Sequence, residues 1–189
     1  MSKRLALLIS ALSLASVGVQ AQETKTEEPV DFHVSGQAVY TKVKASGESF
    51  SPSLFQLKAD IEFNFDNLRG IGLQGMVGMP MSDDKANGMT LELTQQSGIY
   101  VTLTDPDTKP DDLKVSILLG YASTEIETSL PSLTTGQNKD TFSDFSYGFT
   151  LQDQIVAGEP FYWTLDVLRY YKDDDLRVDG LGLGVTYAF

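Results

Sequence analysis

Cysteine is absent from this 189-residue chain, and histidine and tryptophan each occur once. Without cysteine there is no disulfide framework and no thiol to which a lipoprotein lipid could be attached. Positive charge is scarce: 14 Lys and Arg stand against 26 Asp and Glu, a formal net charge of −12, which argues against nucleic acid as a partner. Beyond residue 21 no apolar run reaches the roughly 18 residues a membrane helix requires. Stability must come from the fold and its solvent.

The start of the chain has the pattern of an export signal. Lys3 and Arg4 precede an apolar run from Leu5 to about Val19, and Val19-Gln20-Ala21 offers small residues for cleavage. The expectation is a signal peptide over residues 1–21, with an uncleaved anchor helix as the alternative. Taking 21 from 189 leaves 168 residues, the size of one domain. The leader carries Lys3 and Arg4 and no acid, so its removal moves the net charge from −12 to −14. Residues 22–33 are polar, acidic and proline-containing, and read as a short flexible lead-in.

What is present after residue 33 is period-two alternation. In Leu54 to Phe65, Phe55, Leu57, Ala59, Ile61, Phe63 and Phe65 alternate with Gln56, Lys58, Asp60, Glu62 and Asn64. A strand sorts these residues onto two faces and a helix does not. Similar segments run over Val34–Lys44, Ile71–Met79, Met89–Thr104, Leu113–Thr128, Asp144–Gln152, Phe161–Tyr171 and Gly180–Phe189. Between them lie turn-forming stretches such as Asp66-Asn67-Leu68-Arg69-Gly70 and Asp105-Pro106-Asp107. Ser129–Thr141 is expected to be the longest loop and Lys172–Asp179 an acidic one. In Met89–Thr104 the parity places Leu91 and Leu93 with Ile99, Val101 and Leu103, while polar Gln95–Gly98 allows a bulge. Strands that alternate average out in hydropathy, in keeping with a mean value of −0.12.

Eight such strands predict an all-β fold, an eight-stranded antiparallel up-and-down barrel over residues 34–189. The apolar face could point inward around a ligand, as in a soluble barrel, or outward into lipid. Three features favour lipid. The polar parity carries Gly72, Gly78, Gly120, Gly148, Gly182 and Gly184, which suit a crowded interior. Connections alternate between short and mostly longer. Aromatics fall into two belts, Phe63, Phe65, Phe161, Trp163, Tyr187 and Phe189 at one rim, and Tyr40, Phe55, Tyr121, Phe145 and Tyr171 at the other.

The Arg169-Tyr170-Tyr171-Lys172-Asp173-Asp174-Asp175 stretch, the Gly180-Leu181-Gly182-Leu183-Gly184-Val185 strand and the terminal Tyr187-Ala188-Phe189 complete the pattern. With the leader and the alternating strands, the chain resembles the small outer-membrane β-barrel family of Gram-negative bacteria, which includes the OmpA transmembrane domain and OmpX. The resemblance covers the chain after the leader. It implies residence in the outer membrane among lipid and lipopolysaccharide, and transient contact with periplasmic chaperones and the barrel assembly machinery. In that family the machinery reads a carboxyl-terminal signature, carried here by Leu181, Leu183, Val185, Tyr187 and Phe189. A monomer without cofactor or metal is expected.

The inward parity places Lys58, Asp60, Glu62, Glu92, Lys114 and Asp166 in the lumen, where they should pair. A packed polar plug and a narrow pore for ions or small solutes are the two readings, and eight strands leave no channel of porin width. Barrels of this size that act as lipid A deacylases or palmitoyltransferases depend on Ser and His near the outer rim. Here His33 precedes the first predicted strand at the opposite end, so no such base is available and no enzymatic activity is expected. The turn acids, Asp173-Asp174-Asp175 among them, lack the spacing of a calcium loop.

Overall fold

The computed structural model describes residues 30–45, 47–65, 68–108, 112–129 and 137–189. The signal segment 1–21 and residues 22–29 of the predicted lead-in lie outside them. Ten strands form one antiparallel sheet: β1 (Val30–Ala45), β2 (Glu48–Phe50), β3 (Ser53–Phe63), β4 (Ile71–Ser82), β5 (Asp84–Ala86), β6 (Met89–Thr104), β7 (Lys114–Ser129), β8 (Gln137–Gln154), β9 (Phe161–Lys172) and β10 (Leu176–Ala188). Neighbours in sequence are neighbours in space, and β10 pairs with β1 from His33↔Ala188 to Ala45↔Leu176, so the wall closes. Two strands are interrupted. Pro52 separates β2 from β3, and Asp83 separates β4 from β5, leaving an eight-stranded barrel.

Closure follows from the alternation. Leu181, Leu183 and Val185 are exposed on the outside of β10, as are Val115, Ile117 and Leu119 on β7, while Gly180, Gly182 and Thr186 are buried on the inside. An apolar outer wall of this extent is unfavourable in water and favourable in hydrocarbon, and a closed sheet leaves no unpaired edge there. Phe32, Phe65, Phe161, Tyr187 and Phe189 stand outward at the end holding both Val30 and Ala188, and Tyr40, Phe55, Tyr121 and Phe145 stand outward nearer the other.

Several strands are longer than their apolar patterns. β1 begins at Val30, so His33 lies within it, opposite Ala188 and Asp60; the partners on both sides supply the hydrogen bonds that its polar sequence does not advertise. β8 begins at Gln137, so Gln137–Thr141 belongs to a hairpin with β7 and not to a loop. β10 begins at Leu176, which reduces the expected acidic loop to Asp173–Asp175. The expected alternation of connection lengths is not kept, because strands that extend past their apolar patterns leave two residues between β1 and β2 and between β5 and β6, against seven, nine and six after β3, β6 and β8. The turn Asn87-Gly88 between β5 and β6 has φ of 49° and 77°, the left-handed pair that suits a two-residue hairpin.

Two bulges redirect side chains. The register of β6 against β7 slips between Leu93 and Gln95. Leu91 and Leu93 therefore point inward, at 1% and 0% exposure, and Glu92, opposite Glu127, points outward. A second shift occurs between Val178 and Asp179 where β10 meets β9. Beyond it Tyr171 leaves the outer aromatic belt and packs against Phe142, at 5.5 Å between ring centroids.

Candidate functional site

The inward faces of the strands bring together three layers. Toward the end away from Val30 and Ala188 the interior is apolar. Val39 and Val43 of β1, Phe50 of β2, Leu54 of β3, Leu91 and Leu93 of β6, and Val178 of β10 pack into one buried cluster. Phe50 reaches the centre because the chain breaks at Ser51-Pro52, where Thr41 N and Oγ1 both donate to Pro52 O at 3.0 and 2.6 Å.

A belt of uncharged amides and hydroxyls lies beneath this cluster. Gln37 Nε2 donates to Gln56 Oε1 at 2.8 Å, Gln56 Nε2 donates to Tyr170 OH at 3.0 Å, and Gln56 also bonds Gln96. Tyr100 OH and Ser146 Oγ are 2.8 Å apart, and Ser146 Oγ donates to Arg169 O at 2.7 Å. A buried amide is costly unless partnered, and cross-barrel partners also fix the register of strands distant in sequence.

The charged layer comes next. Lys58 Nζ donates to Asp166 Oδ2 at 2.7 Å, and the same oxygen accepts from Gln37 Nε2 at 2.9 Å. Asp166 Oδ1 accepts from Thr150 Oγ1 at 2.8 Å, so both carboxylate oxygens are occupied. Asp60 accepts from Gln74 Nε2 at 2.5 Å, and Lys114 pairs with Glu62 nearer the opening. Below that pair a cavity of about 500 Å³ opens at the end holding both Val30 and Ala188, lined by Asp31, His33, Glu62, Arg69, Lys114 and Tyr162. Of the six charges expected in the lumen, the structure brings five inside; Glu92 is outside because the bulge at Leu93/Gln95 reverses its face.

The glutamine belt and the apolar cluster were not anticipated. Gln37, Gln56, Gln74 and Gln96 share the inward parity with the lumen charges, which is the signal that could have found them. The cluster draws on Leu176 and Val178, set among acidic residues, and on two leucines placed by a bulge. Among the described residues no group of three His, Asp or Glu is arranged to hold a metal.

The terminal signature residues lie on one exposed stripe of β10. Tyr187 packs between Phe161 and Phe189, with centroids at 5.2 and 4.8 Å. Phe189 N donates to Phe32 O at 3.0 Å, continuing the β1–β10 seam to the last residue.

A closed eight-stranded wall, apolar outside and polar or packed inside, defines an integral outer-membrane β-barrel, with the end holding Val30 and Ala188 expected on the periplasmic side. A family model described as "Outer membrane protein beta-barrel domain" matches residues 8–189, and the chain belongs to that family. Among solved structures, the attachment invasion locus protein Ail of Yersinia pestis, crystallised with the heparin analogue sucrose octasulfate, superposes with a TM-score of 0.60 at 18% identity, covering 85% of this chain and 99% of that one. The N-terminal β-barrel domain of Pseudomonas aeruginosa OprF gives 0.54 at 13% identity, covering 83% and 97%. Neisserial surface protein A gives 0.50 at 15%, covering 84% and 97%. At such identities the likeness is one of fold. No curated protein sequence matches the chain. The protein resides in the outer membrane of a Gram-negative bacterium.

Proposed function

We propose that the protein is a structural or surface-interaction element of the outer membrane whose lumen is closed to solutes. The observation that carries this reading is the stacking of two fillings: the buried cluster around Phe50, Leu54 and Leu93, and beneath it the Gln37-Gln56-Gln96 belt resting on Lys58 and Asp166. On this reading, ions entering the periplasmic vestibule meet a paired charge, then the glutamine belt, and then a buried apolar layer that offers them no hydration. A barrel of eight strands has an interior just wide enough for side chains, so displacing them would require the wall itself to change.

The vestibule of about 500 Å³ favours the second reading, a narrow pore, because it carries polar walls part of the way through. Planar-bilayer recording separates the two. Silence from protein that migrates as a folded, heat-modifiable species is the expected result; discrete conductance steps would overturn the closed lumen. Opening the apolar layer with Phe50→Ala and Leu93→Ala together should then create steps absent from the parent.

The remaining roles belong to the same reading. The barrel inserts as a monomer, handed over by periplasmic chaperones to the assembly machinery, which reads Leu181 to Phe189. Its outward rim meets lipid and lipopolysaccharide. The one histidine, His33, is beside Lys114 and Glu62 in the vestibule, and this reading assigns it no catalytic part.

A further inference from the structure

The outer wall carries charge near its upper rim, and its distribution is one-sided. Across β1, β10 and β9 two registered rows follow each other: Lys42↔Asp179↔Arg169, then Lys44↔Arg177↔Lys172. All six positions have the outward parity. Five of the chain's 14 Lys and Arg thus share one patch with a single acid. That acid is consumed internally, since Asp179 accepts from Arg169 Nε at 2.9 Å and from Arg177 Nε at 2.5 Å. Arg169 is held further by Nη1 donating to Tyr147 OH at 2.9 Å. Among the described residues, Lys42, Lys44 and Lys172 form no ion pair within 4 Å.

The nearest other acids do not cancel the patch. Asp173 is taken up by Tyr171 OH and by the backbone of Asp175 and Leu176, and it lies with Asp174 and Asp175 beyond the strand ends. Glu48, opposite Ala45, is bonded by Asn87. On β6 and β7 the outward rim is acidic instead, with Glu92 facing Glu127 and Glu125 paired to Lys139 at 2.8 Å.

Height identifies what the patch faces. From the Tyr187 row at the lower aromatic belt, strand rise of ~3.3 Å per residue and a tilt of ~40° place the Asp179 row about 20 Å up and the Arg177 row about 25 Å up. The lipid-facing band of such barrels is about 25 Å tall. The row immediately below is Tyr40↔Leu181↔Val167, all exposed and apolar or aromatic. The five cations therefore sit where acyl chains give way to headgroups, with lysine stems able to lie along the wall and extend their ammonium groups.

We propose that this patch docks the phosphorylated glucosamine headgroup of an outer-leaflet lipid A molecule. Arginine forks held by Asp179 present their free N–H groups to phosphate oxygens, and the three unpaired lysines supply compensating charge. The proposal deepens the surface role above by naming the partner's chemistry and the side of the barrel it occupies.

The test uses the full barrel in phosphatidylcholine nanodiscs containing bis-phosphorylated lipid A, dephosphorylated lipid A or phosphatidylglycerol, with retained lipid read by native mass spectrometry. Wild type should retain bis-phosphorylated lipid A selectively. One basic residue near an anionic surface contributes about fivefold, so Lys42→Gln, Lys44→Gln and Lys172→Gln together should weaken retention on the order of a hundredfold. Lys139→Gln, on the neighbouring β8 beyond the patch and already paired to Glu125, should change nothing. Equal retention by the triple variant, or equal retention of phosphatidylglycerol by wild type, would overturn the site while leaving the silent-barrel result untouched. If the triple variant fails to fold, each single variant must still show its fivefold loss.

Discussion

Lys58 Nζ and Asp166 Oδ2 lie 2.7 Å apart across the barrel, 108 residues apart in sequence, with both side chains at most 2% exposed. Removing one partner would strand the other charge in an interior that cannot solvate it. Lys58→Met is expected to cost about 3–5 kcal/mol. Adding Asp166→Asn should recover most of that, because the amide is neutral, its Oδ1 can accept from Thr150 Oγ1, and its Nδ2 can donate to Gln37 Oε1, which has no partner among the described residues of the parent. Urea unfolding in lipid vesicles checks both; a double variant no more stable than Lys58→Met would contradict the argument.

This pair was legible in the sequence, since Lys58 and Asp166 share the polar parity of their strands, and parity fixes the side of a wall. Parity fails where a residue is inserted. Thr94 is the extra residue that turns Leu91 and Leu93 inward and Glu92 outward, and nothing in Leu-Thr-Gln-Gln announces on which side of the break the reversal falls. Strand ends were hidden for a different reason. Leu176 to Asp179 and Gln137 to Thr141 read as loops because they are polar, yet above the bilayer a hairpin needs only paired backbone, not an apolar face. Leu176 and Val178 of the apolar cluster were hidden for that reason, and Leu91 and Leu93 by the bulge.

Gly148 is where the wall tolerates no side chain. A Cβ there would lie 2.0 Å from Val167 O and 2.8 Å from Leu168 Cα, both backbone atoms of the neighbouring strand. Gly148→Ala must therefore separate β8 from β9 and should destabilise by about 1–3 kcal/mol. Gly75, with nothing within 4 Å of its Cβ direction, is the control. Gly75→Ala should stay within about 0.5 kcal/mol. Equal effects at the two positions, measured by denaturant midpoints, would refute the steric account.

The turn after β9 should respond to acid. Asp173 Oδ2 accepts from Tyr171 OH at 2.7 Å, and Oδ1 accepts from the amides of Asp175 and Leu176 at 2.8 and 2.5 Å. The Tyr171 hydroxyl above all, then the backbone donors, hold this carboxyl below its ordinary value. With the folded value depressed, the open turn binds the proton more readily than the closed one. The contribution to turn closure is present above the ordinary aspartate range and is lost as pH falls through the depressed value. Amide shifts of Asp175 and Leu176 should titrate with a midpoint below that of a free aspartate, and Tyr171→Phe should raise it. A midpoint unchanged by that substitution would count against the assignment.

Deleting Phe189 separates equilibrium stability from assembly. The residue contributes one seam hydrogen bond, Phe189 N to Phe32 O, and one edge-to-face contact with Tyr187. Such an aromatic pair adds about 0.5–1.5 kcal/mol beyond area burial, and a hydrogen bond a similar amount. A barrel refolded in vitro without Phe189 should therefore remain folded, with a modestly lowered midpoint. In cells the same deletion should sharply reduce inserted, heat-modifiable protein, because the terminal aromatic is then also missing from the stripe that Leu181, Leu183, Val185 and Tyr187 present. On the proposed reading the stripe is recognised before the seam has closed, so its loss is not offset by the rest of the wall. Wild-type levels in the outer membrane would remove the assembly role and leave Phe189 as an ordinary seam residue.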